Sequence, residues 1–273
     1  MRTSKKFVMV LEKFFSHRFK LARLTKNPVI APLAKRMLFE KNNLTILPKD
    51  STIEIEIEKH IEAPENIVVP SQVVNYFIDK ASAHFIMDFC ICRESMNCKD
   101  HPSSLGCLFM GEAVHEINSS FGRILSKGEA RKHVKTCREN GLVHVIGRDK
   151  LDELWLGVSS GVKLLTVCNC CSCCCLWKMI PNLDSSLAQS IKRMPGVSIT
   201  VTSDCVGCGT CTENVCFIDA IRVKDGKALI PEDCRICGRC AEVCPNNAIK
   251  ITIEDEKYID KTIQRIQSSI DVS

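Results

Sequence analysis

A duplicated run of cysteines near the C-terminus constrains this chain more than any other feature of its sequence. The first run has three cysteines at intervals of three residues and a fourth five residues later: Cys205, Cys208, Cys211 and Cys216. The second run has the pattern C-x2-C-x2-C-x3-C-P and consists of Cys234, Cys237, Cys240, Cys244 and Pro245. The two triplets start 29 residues apart, so they form an internal repeat. Each triplet requires a tight loop that curls around whatever its thiols bind.

The spacing suits the thiolate ligands of four-iron clusters. A cubane cluster needs four thiolates around one small body, and a tight loop supplies three of them. Gly207, Gly209 and Gly238 allow positive φ angles in these loops. The fourth cysteine of such a run ligates the other cluster. We therefore assign one [4Fe-4S] cluster to each of two sets: Cys205, Cys208, Cys211 and Cys244, and then Cys234, Cys237, Cys240 and Cys216.

Zinc is the alternative metal, because two C-x2-C pairs can form a tetrahedral site. Eight cysteines in duplicated triplets favour iron–sulfur ligation. The stretch resembles the two-cluster bacterial ferredoxins over about a fifth of the chain. This resemblance implies short strands and helices in a pseudo-twofold arrangement around two [4Fe-4S] clusters that pass single electrons.

Length and composition limit the remaining possibilities. The chain has 273 residues, which allows two domains or one domain with a small module. It contains 19 cysteines, and a secreted disulfide scaffold would be the usual reason for such a number. The metal-ligand spacing and the lack of a signal peptide argue against secretion. We expect the reducing cytoplasm of an anaerobe, with association to a membrane surface left open.

The N-terminus is basic and amphipathic. The first 36 residues contain ten lysines and arginines and one acid, Glu12. Residues 7–24 have helical periodicity, and Arg18 interrupts their apolar face. The stretch is too short and too charged to span a bilayer. It can pack on its own core, dock on a partner protein or lie on a membrane surface. Because it has no cysteine, we predict that it is dispensable for cluster binding. We also predict that Pro28 and Pro32 end the helix.

Between the termini, the sequence predicts both helices and strands. Residues 44–70 indicate a connector with one edge strand, because isoleucine and glutamate alternate over 53–58. Caps and apolar periodicity predict further elements: a helix over 71–83, a helix from the Ser126–Glu129 capping box to Gly141, strands over 142–146 and 154–158, and a helix over 255–268.

Ten more cysteines lie in two upstream segments, each preceded by an apolar stretch that is predicted to be a strand. If the first strand is regular, Cys90 and Cys92 point to the same side. We expect the two segments to meet and to share one additional iron–sulfur centre, because uncoordinated thiols would be an oxidation liability. The alternative is that they are buried small apolar residues. The candidate ligands are Cys90, Cys92, Cys98, Cys107, Cys168, Cys170, Cys171, Cys173, Cys174 and Cys175.

The order of the motifs resembles a broader group of iron–sulfur proteins from anaerobes. That group carries a Cys-x-Cys-Arg segment, a Gly-Leu-Val-His stretch and a cysteine run before a two-cluster ferredoxin module. Here the corresponding segments are Cys90–Arg93, Gly141–His144 and Cys168–Cys175. The match covers about two thirds of the chain. It implies iron–sulfur binding and does not indicate a reaction.

Together these features predict an α+β fold, with a mixed N-terminal domain and a C-terminal ferredoxin-type module for two [4Fe-4S] clusters. The predicted divisions are a basic segment over 1–43, a cysteine-rich domain over 44–197 and the module with a C-terminal helix over 198–273.

The predicted function is single-electron transfer to a redox partner protein or an oxidoreductase subunit. Two alternatives remain: an enzyme with chemistry at the upstream cysteine-rich centre, and a redox-sensing regulator. Residues 106–111 do not match G-x-G-x-x-G, so no dinucleotide site is indicated. We expect no nucleic-acid partner, since a basic N-terminus is the only feature that would favour one.

Overall fold

The computed structural model describes residues 3–54, 69–216 and 218–273. Its α-helices are α1 (Lys5–Phe14), α2 (Arg18–Leu24), α3 (Ile30–Leu38), α4 (Gln72–Lys80), α5 (Ile91–Ser95), α6 (Lys127–Glu139), α7 (Lys150–Leu156), α8 (Ser185–Ala188), α9 (Arg239–Glu242) and α10 (Tyr258–Gln267). Its strands are β1 (Asn43–Ile46), β2 (Ile53–Glu54), β3 (His84–Met87), β4 (Leu108–Met110), β5 (Gly122–Leu125), β6 (Val143–Arg148), β7 (Leu165–Cys170), β8 (Ile191–Arg193), β9 (Val197–Val201), β10 (Arg222–Lys224), β11 (Lys227–Leu229) and β12 (Ile249–Ile253). The predicted α+β class is confirmed.

A seven-stranded sheet, with the order β5-β3-β4-β7-β6-β1-β8, organises the larger part of the fold. Neighbouring strands within this sheet pair antiparallel, except that β8 runs parallel to β1. Side chains alternate between the two faces of a strand. In β7, Leu165 and Val167 join the core on one face, whereas Cys168 and Cys170 join the core on the other. The sheet therefore has an aliphatic first face and a second face that carries thiols.

Helices α4, α6 and α10 cover the first face. The apolar side chains of α4, Val73, Val74, Phe77 and Ile78, are all buried there. The predicted capping box at the start of α6 is confirmed: Ser126 and Glu129 bond reciprocally to each other's backbone amides. Ile263 and Ile266 of α10 pack into the same core, as the C-terminal periodicity predicts.

The second face is covered by the N-terminal helices and by a 3₁₀ segment, Leu176–Asn182. Trp177 of that segment is fully buried against β1 and β6, beside Cys170 and Cys175. Among the residues that the structure describes, no helix is long and apolar enough to cross a membrane.

The C-terminal module contains a second sheet, three-stranded with the order β2-β12-β9, and a β10-β11 hairpin. Strand β2 comes from far upstream and pairs parallel with β12 through Ile53 and Ile251. Of the predicted isoleucine–glutamate strand, only Ile53 and Glu54 are described, and residues 55–58 lie outside the described part of the chain. The module thus shares a sheet with the upstream sequence.

Four local predictions were wrong. Residues 44–46 do not belong to a connector but to β1, which lies between β6 and β8 in the large sheet. Residues 154–158 do not form a strand, because Asp149 caps the amide of Leu151 and starts helix α7. Pro32 does not end a helix but lies in the first turn of α3, where its missing N–H has no intrahelical partner to lose. The strand before Cys90 ends at Met87, so Cys90 and Cys92 lie at the start of a short helix, α5, instead of in a strand.

Candidate metal centres

Four thiols surround a pocket in the first half of the C-terminal module. The pocket is lined by Cys205, Cys208 and Cys211 together with Cys244 of the second run. The loop has the predicted positive φ angles, 68° at Gly207 and 80° at Gly209. Backbone amides already point at the sulfurs: Ala228 donates to Cys205 Sγ over 3.3 Å, and Ala248 donates to Cys244 Sγ over 3.3 Å. Such amides stabilise negative charge on sulfur.

The second half repeats this arrangement. Cys234, Cys237 and Cys240 line a second pocket together with Cys216 of the first run. Gly238 has a φ of 87°, which matches Gly209 in the first loop. The amide of Ala220 donates to Cys216 Sγ over 3.3 Å, and the amide of Ile236 donates to Cys234 Sγ over 3.4 Å. Each pocket therefore combines one triplet with the fourth cysteine of the other run.

Burial favours the neutral form of three thiols in the second pocket. It raises the pKa of Cys237 to about 12 and also raises the pKa values of Cys234 and Cys240, with the neighbouring thiolates adding to the shifts. A cation among the four sulfurs would reverse this, because a coordinated thiol is deprotonated outright. The donor set in each pocket fits a thiolate-ligated metal centre.

Six of the upstream cysteines form one group on the second face of the large sheet. Cys107 immediately precedes β4, and its Sγ lies 3.9 Å from that of Cys168 on the antiparallel strand β7. Cys168 and Cys170 share a face and interact, and Cys170 also interacts with Cys175. We call this set the inner thiol group: Cys90, Cys92, Cys107, Cys168, Cys170 and Cys175. Cys171 lines the same cavity, but its Sγ lies with a second set of thiols.

The other four form the outer thiol group: Cys98, Cys171, Cys173 and Cys174. Their Sγ atoms all lie within 4.8 Å of one another. Cys98 and Cys173 approach to 3.4 Å, and the amide of Cys174 donates to Cys171 Sγ over 3.3 Å. The structure thus brings the two upstream segments together, but it divides their ten thiols into two groups where the sequence suggested one shared centre.

The strand geometry that was expected for Cys90 and Cys92 was wrong. Cys90 is the N-cap of α5, with φ −97° and ψ 111°, and Cys92 lies in the first turn of that helix. The two thiols still meet, because the turn folds one over the other. A hydrogen bond from Cys92, and the nearby Arg93 guanidinium, lower the pKa of Cys90 to about 7.

Three buried arginines surround the upstream thiols. The sequence patterns did not predict that these arginines lie beside the cysteines. Arg18, Arg93 and Arg239 are 6%, 1% and 8% exposed. They donate mainly to carbonyl groups: Arg93 to Pro102, Leu105 and Asn169, Arg239 to Cys170 over 2.6 Å. Within the described part of the chain, none of the three has a carboxylate partner. Unpaired buried cations are costly, so anionic metal–thiolate centres would complement them.

The N-terminal helices belong to the wall of the inner thiol group. Arg18 of α2 lies between the rings of Phe15 and Phe19, at 4.3 and 4.2 Å from their centroids. Its guanidinium also reaches the carbonyl of Cys174 and the sulfur of Met96. The interruption of the apolar face at Arg18 is therefore a contact with the cysteine-rich core, and the segment is not independent of it.

A cavity of about 440 Å³ opens beside the inner thiol group. Its other walls are aromatic and aliphatic side chains of the N-terminal helices, with Trp155, Asp149 and Asp152 at one end. Burial raises the pKa of Asp152 to about 6, although Trp155 and Thr166 both donate hydrogen bonds to it. The thiols thus face an apolar space with two acidic groups nearby.

Comparisons with known proteins support iron–sulfur binding in the C-terminal module. A family described as "4Fe-4S binding domain" matches residues 228–250. An uncharacterized ferredoxin of Methanocaldococcus jannaschii is 35% identical over 49 residues, which are 17% of this chain and 77% of that protein. No solved structure matches this chain significantly.

Two longer relatives share smaller parts of their length. One component of the Na⁺-translocating ferredoxin:NAD⁺ oxidoreductase complex of Acetobacterium woodii is 41% identical over 59 residues, which are 21% of this chain and 17% of that component. An uncharacterized protein of M. jannaschii is 32% identical over 127 residues, 44% of this chain and 30% of that protein. This chain therefore spans less than a third of the length of either relative.

Proposed function

Because this chain belongs to the ferredoxin family through its C-terminal module, we propose that it is an iron–sulfur electron-transfer protein. Two [4Fe-4S] clusters would be held with crossed ligation, one by Cys205, Cys208, Cys211 and Cys244, the other by Cys234, Cys237, Cys240 and Cys216. Bound there, such clusters accept and release single electrons. The inner thiol group would hold a further cysteine-ligated iron–sulfur centre.

The observation that carries the proposal is the contact between the second module pocket and the inner thiol group. Arg239 lies between two cysteines of that pocket in the sequence, and its guanidinium donates to the carbonyl of Cys170 over 2.6 Å. Cys237 packs in the same core as Cys170 and Cys175. Arg239 and this shared core hold the two sets of thiols against each other.

The N-terminal helices supply the surface that we assign to a redox partner protein. They carry exposed apolar side chains among lysines and arginines, which suits an apolar patch with an acidic rim. The A. woodii relative is by its name part of an assembly, which supports a protein partner. The exposed residues are Phe7, Met9, Val10, Phe14, Leu21, Leu24, Val29, Leu33, Met37 and Leu38.

The proposal is tested by loading and by transfer. The anaerobically purified full chain should contain more than about eight irons with matching sulfide, because two cubanes account for eight. Arg239→Gln should keep the module irons and slow the arrival of electrons at the upstream centre. Rapid-freeze EPR after addition of a limiting amount of reductant measures the rate of that arrival.

Arg222→Gln is the matched control, since Arg222 is an exposed arginine of the same module. Zinc in place of iron in the module would refute the electron-transfer function. Unchanged transfer in Arg239→Gln would show that the contact with Cys170 has no part in it.

A second function is favoured by the cavity beside the inner thiol group. It is apolar, about 440 Å³ in volume, and lined in part by Arg18, whose Nε has no hydrogen-bond partner among the described residues. That arrangement would suit a reductase for a small apolar molecule with a carboxylate. Reduced protein should then be reoxidised by one member of a panel of unsaturated apolar carboxylates. Arg18→Lys keeps a cation beside the thiols but lacks the Nε donor, so it should raise the concentration needed. If no member of the panel reoxidises the protein, the reductase function is refuted and electron transfer is the one proposed function that stands.

A further inference from the structure

The outer thiol group differs from every other set of thiols in its spacing. Within the described residues, it is the one group of three or more metal-ligating side chains whose ligand atoms come within 4.8 Å of one another. The two module pockets do not share this feature, although each is lined by four cysteines. The same chain therefore contains two kinds of four-thiol arrangement.

The spacing separates a single ion from a cluster. Four sulfurs at about 2.3 Å from one tetrahedral Zn²⁺ lie about 3.8 Å from one another. A cubane is a body of eight atoms and holds its four thiolates further apart. In the outer thiol group, Cys98 and Cys173 are 3.4 Å apart and all pairs stay within 4.8 Å. There is room for one ion among these sulfurs and no room for a cube of iron and sulfide.

We propose that Cys98, Cys171, Cys173 and Cys174 bind a single tetrahedral metal ion, Zn²⁺ or Fe²⁺, at a site separate from the iron–sulfur centres. Four thiolates are the donor set that tetrahedral zinc and mononuclear iron prefer. Four protein ligands leave no open position, as in structural sites. This site does not depend on the proposed electron-transfer function, because it needs no sulfide and none of the other cysteines.

The place of the ligands in the fold gives the ion its role. Cys98 follows α5, while the other three ligands follow the end of strand β7. Between them lies Arg93, whose Nη1 donates to the carbonyl of Asn169 over 2.8 Å. One ion would tie the loop after α5 to the cysteine run, and so fix the backbone that also carries the inner thiol group. Cys171 and Cys174 are buried, and Cys98 and Cys173 are half-buried, so solvent reaches the site from one side.

The test compares metal content in matched variants of the full chain. Cys98→Ser and the double variant Cys98→Ser/Cys173→Ser should lose about one zinc, or one iron without sulfide, per chain. Acid-labile sulfide should not change. Cys137→Ala is the control, because Cys137 is a buried cysteine of the same apolar core that is not in the group. Co²⁺ added to zinc-depleted protein should give the visible absorption of a tetrahedral thiolate site, and the double variant should not.

Wild-type protein provides a measurement that does not depend on how well a variant folds. A chelator should remove the single ion, whether zinc or iron, and leave the sulfide, the iron that matches it and the EPR spectrum of the clusters unchanged. Loss of about four irons with equivalent sulfide from Cys98→Ser would show a cubane and overturn the proposal. Equal metal content in the double variant and wild type would also overturn it. A wild-type chain with this ion but with no sulfide would refute the electron-transfer function and leave the proposed site intact.

Discussion

At the scale of single residues, Cys244 connects the two halves of the module. It belongs to the second cysteine run, yet it lines the pocket of the first triplet. We expect Cys244→Ser to lose up to about four irons and Cys208→Ser to lose the same ones, because both would ligate one cluster. The double variant Cys208→Ser/Cys244→Ser should therefore lose no more iron than either single variant.

Cys240→Ser/Cys244→Ser is the contrasting pair, although its two cysteines are close in sequence. It should lose iron from both sites, because Cys240 lines the other pocket. Iron and sulfide analysis with EPR spin counting measures both doubles. The opposite pattern, with additive loss for 208/244 and a shared loss for 240/244, would show that each run ligates its own cluster.

His144 makes a second prediction at this scale. Burial, together with the nearby charge of Arg138, lowers the pKa of His144 to about 3, and its Nδ1 lies 2.8 Å from Asn169 Oδ1. Between pH 3 and about 6.5, the unfolded chain binds a proton here that the folded chain does not, so acidification favours unfolding. Because of this residue, acidification from pH 7 to pH 5 should lower the free energy of unfolding of the wild type by about 2 kcal/mol.

Urea unfolding under anaerobic conditions at the two pH values measures this cost. His144→Asn should show a smaller loss of stability on acidification than wild type. His17→Asn, at an exposed position, should behave like wild type. Equal pH dependence in all three proteins would show that His144 accepts a proton in the folded state.

The sequence predicted the positions of some site residues and not of others. The module cysteines follow a local repeat that identifies the two triplets, and the rule that the fourth cysteine of a run serves the other site assigned Cys216 and Cys244 to the pockets that they line. The division of the upstream thiols was not predictable, because it depends on strand pairing: Cys107 meets Cys168 only through the register of β4 on β7. The roles of Arg18 and Arg239 depend in the same way on contacts between residues that are distant in the chain.

At the scale of elements, Gly147 sets how closely β6 can approach β1. Its φ is 145°, and a Cβ there would overlap the backbone carbonyl of Asn43 in β1. Gly147→Ala should lower the free energy of unfolding by about 2 kcal/mol, since neither strand can move away inside the sheet. Gly128→Ala is the matched control in helix α6, where a Cβ meets no described atom within 4 Å. It should leave stability unchanged or raise it by up to about 1 kcal/mol.

Denaturant unfolding of the two alanine variants and wild type distinguishes these outcomes. Equal stability of Gly147→Ala and wild type would show that the two strands separate readily at this point.

Helix α2 gives a prediction about the inner thiol group. Arg18→Gln removes a buried cation beside Cys92, Cys174 and Cys175 and opens one wall of the cavity. We expect iron to fall toward about eight per chain and alkylation of Cys92 and Cys175 to become faster, because water then reaches these thiols. Iron analysis and mass-spectrometric mapping of alkylated cysteines measure both effects.

Lys20→Gln is the control, on an exposed position of the same helix. Unchanged iron and alkylation in Arg18→Gln would restore the expectation from sequence that the N-terminal segment is dispensable.

Elements with strong local signals were predictable, whereas those set by neighbouring chain segments were not. The periodicity of α1, α2 and α4 and the capping box of α6 identified helices close to their observed bounds. The apolar stretch before Cys90 predicted a strand that continues into the cysteines, but the strand pairs only over His84–Met87, and a helix follows. In the second segment, the strand instead extends to Cys170, because β6 pairs with it over its length.

At the scale of the whole molecule, α10 contributes to the core of a sheet that precedes it in the chain. Ile266 is fully buried there, among residues of α4 and of the large sheet. Ile266→Ala should cost about 3 kcal/mol, from lost burial and the cavity that remains. The loss should affect the upstream sheet as well as the module, so thermal unfolding followed by circular dichroism and by cluster absorption should shift together.

Gln264→Ala, on the exposed side of the same helix, should change stability by less than about 0.5 kcal/mol. If the cluster absorption of Ile266→Ala melts as in wild type while the helical signal melts earlier, the module and the upstream sheet unfold independently.

The position of α10 also determines when the protein can mature during synthesis. Each strand of the large sheet leaves the ribosome before α10, which completes the cover of its first face. The first module triplet likewise precedes Cys244, which completes its pocket. A nascent chain at that stage exposes apolar surface and incomplete ligand sets together, a state that aggregates and oxidises readily. Chaperones and metal delivery would therefore have to act after Cys244 and α10 have been synthesised, because neither the first ligand set nor the cover of the sheet is complete before then.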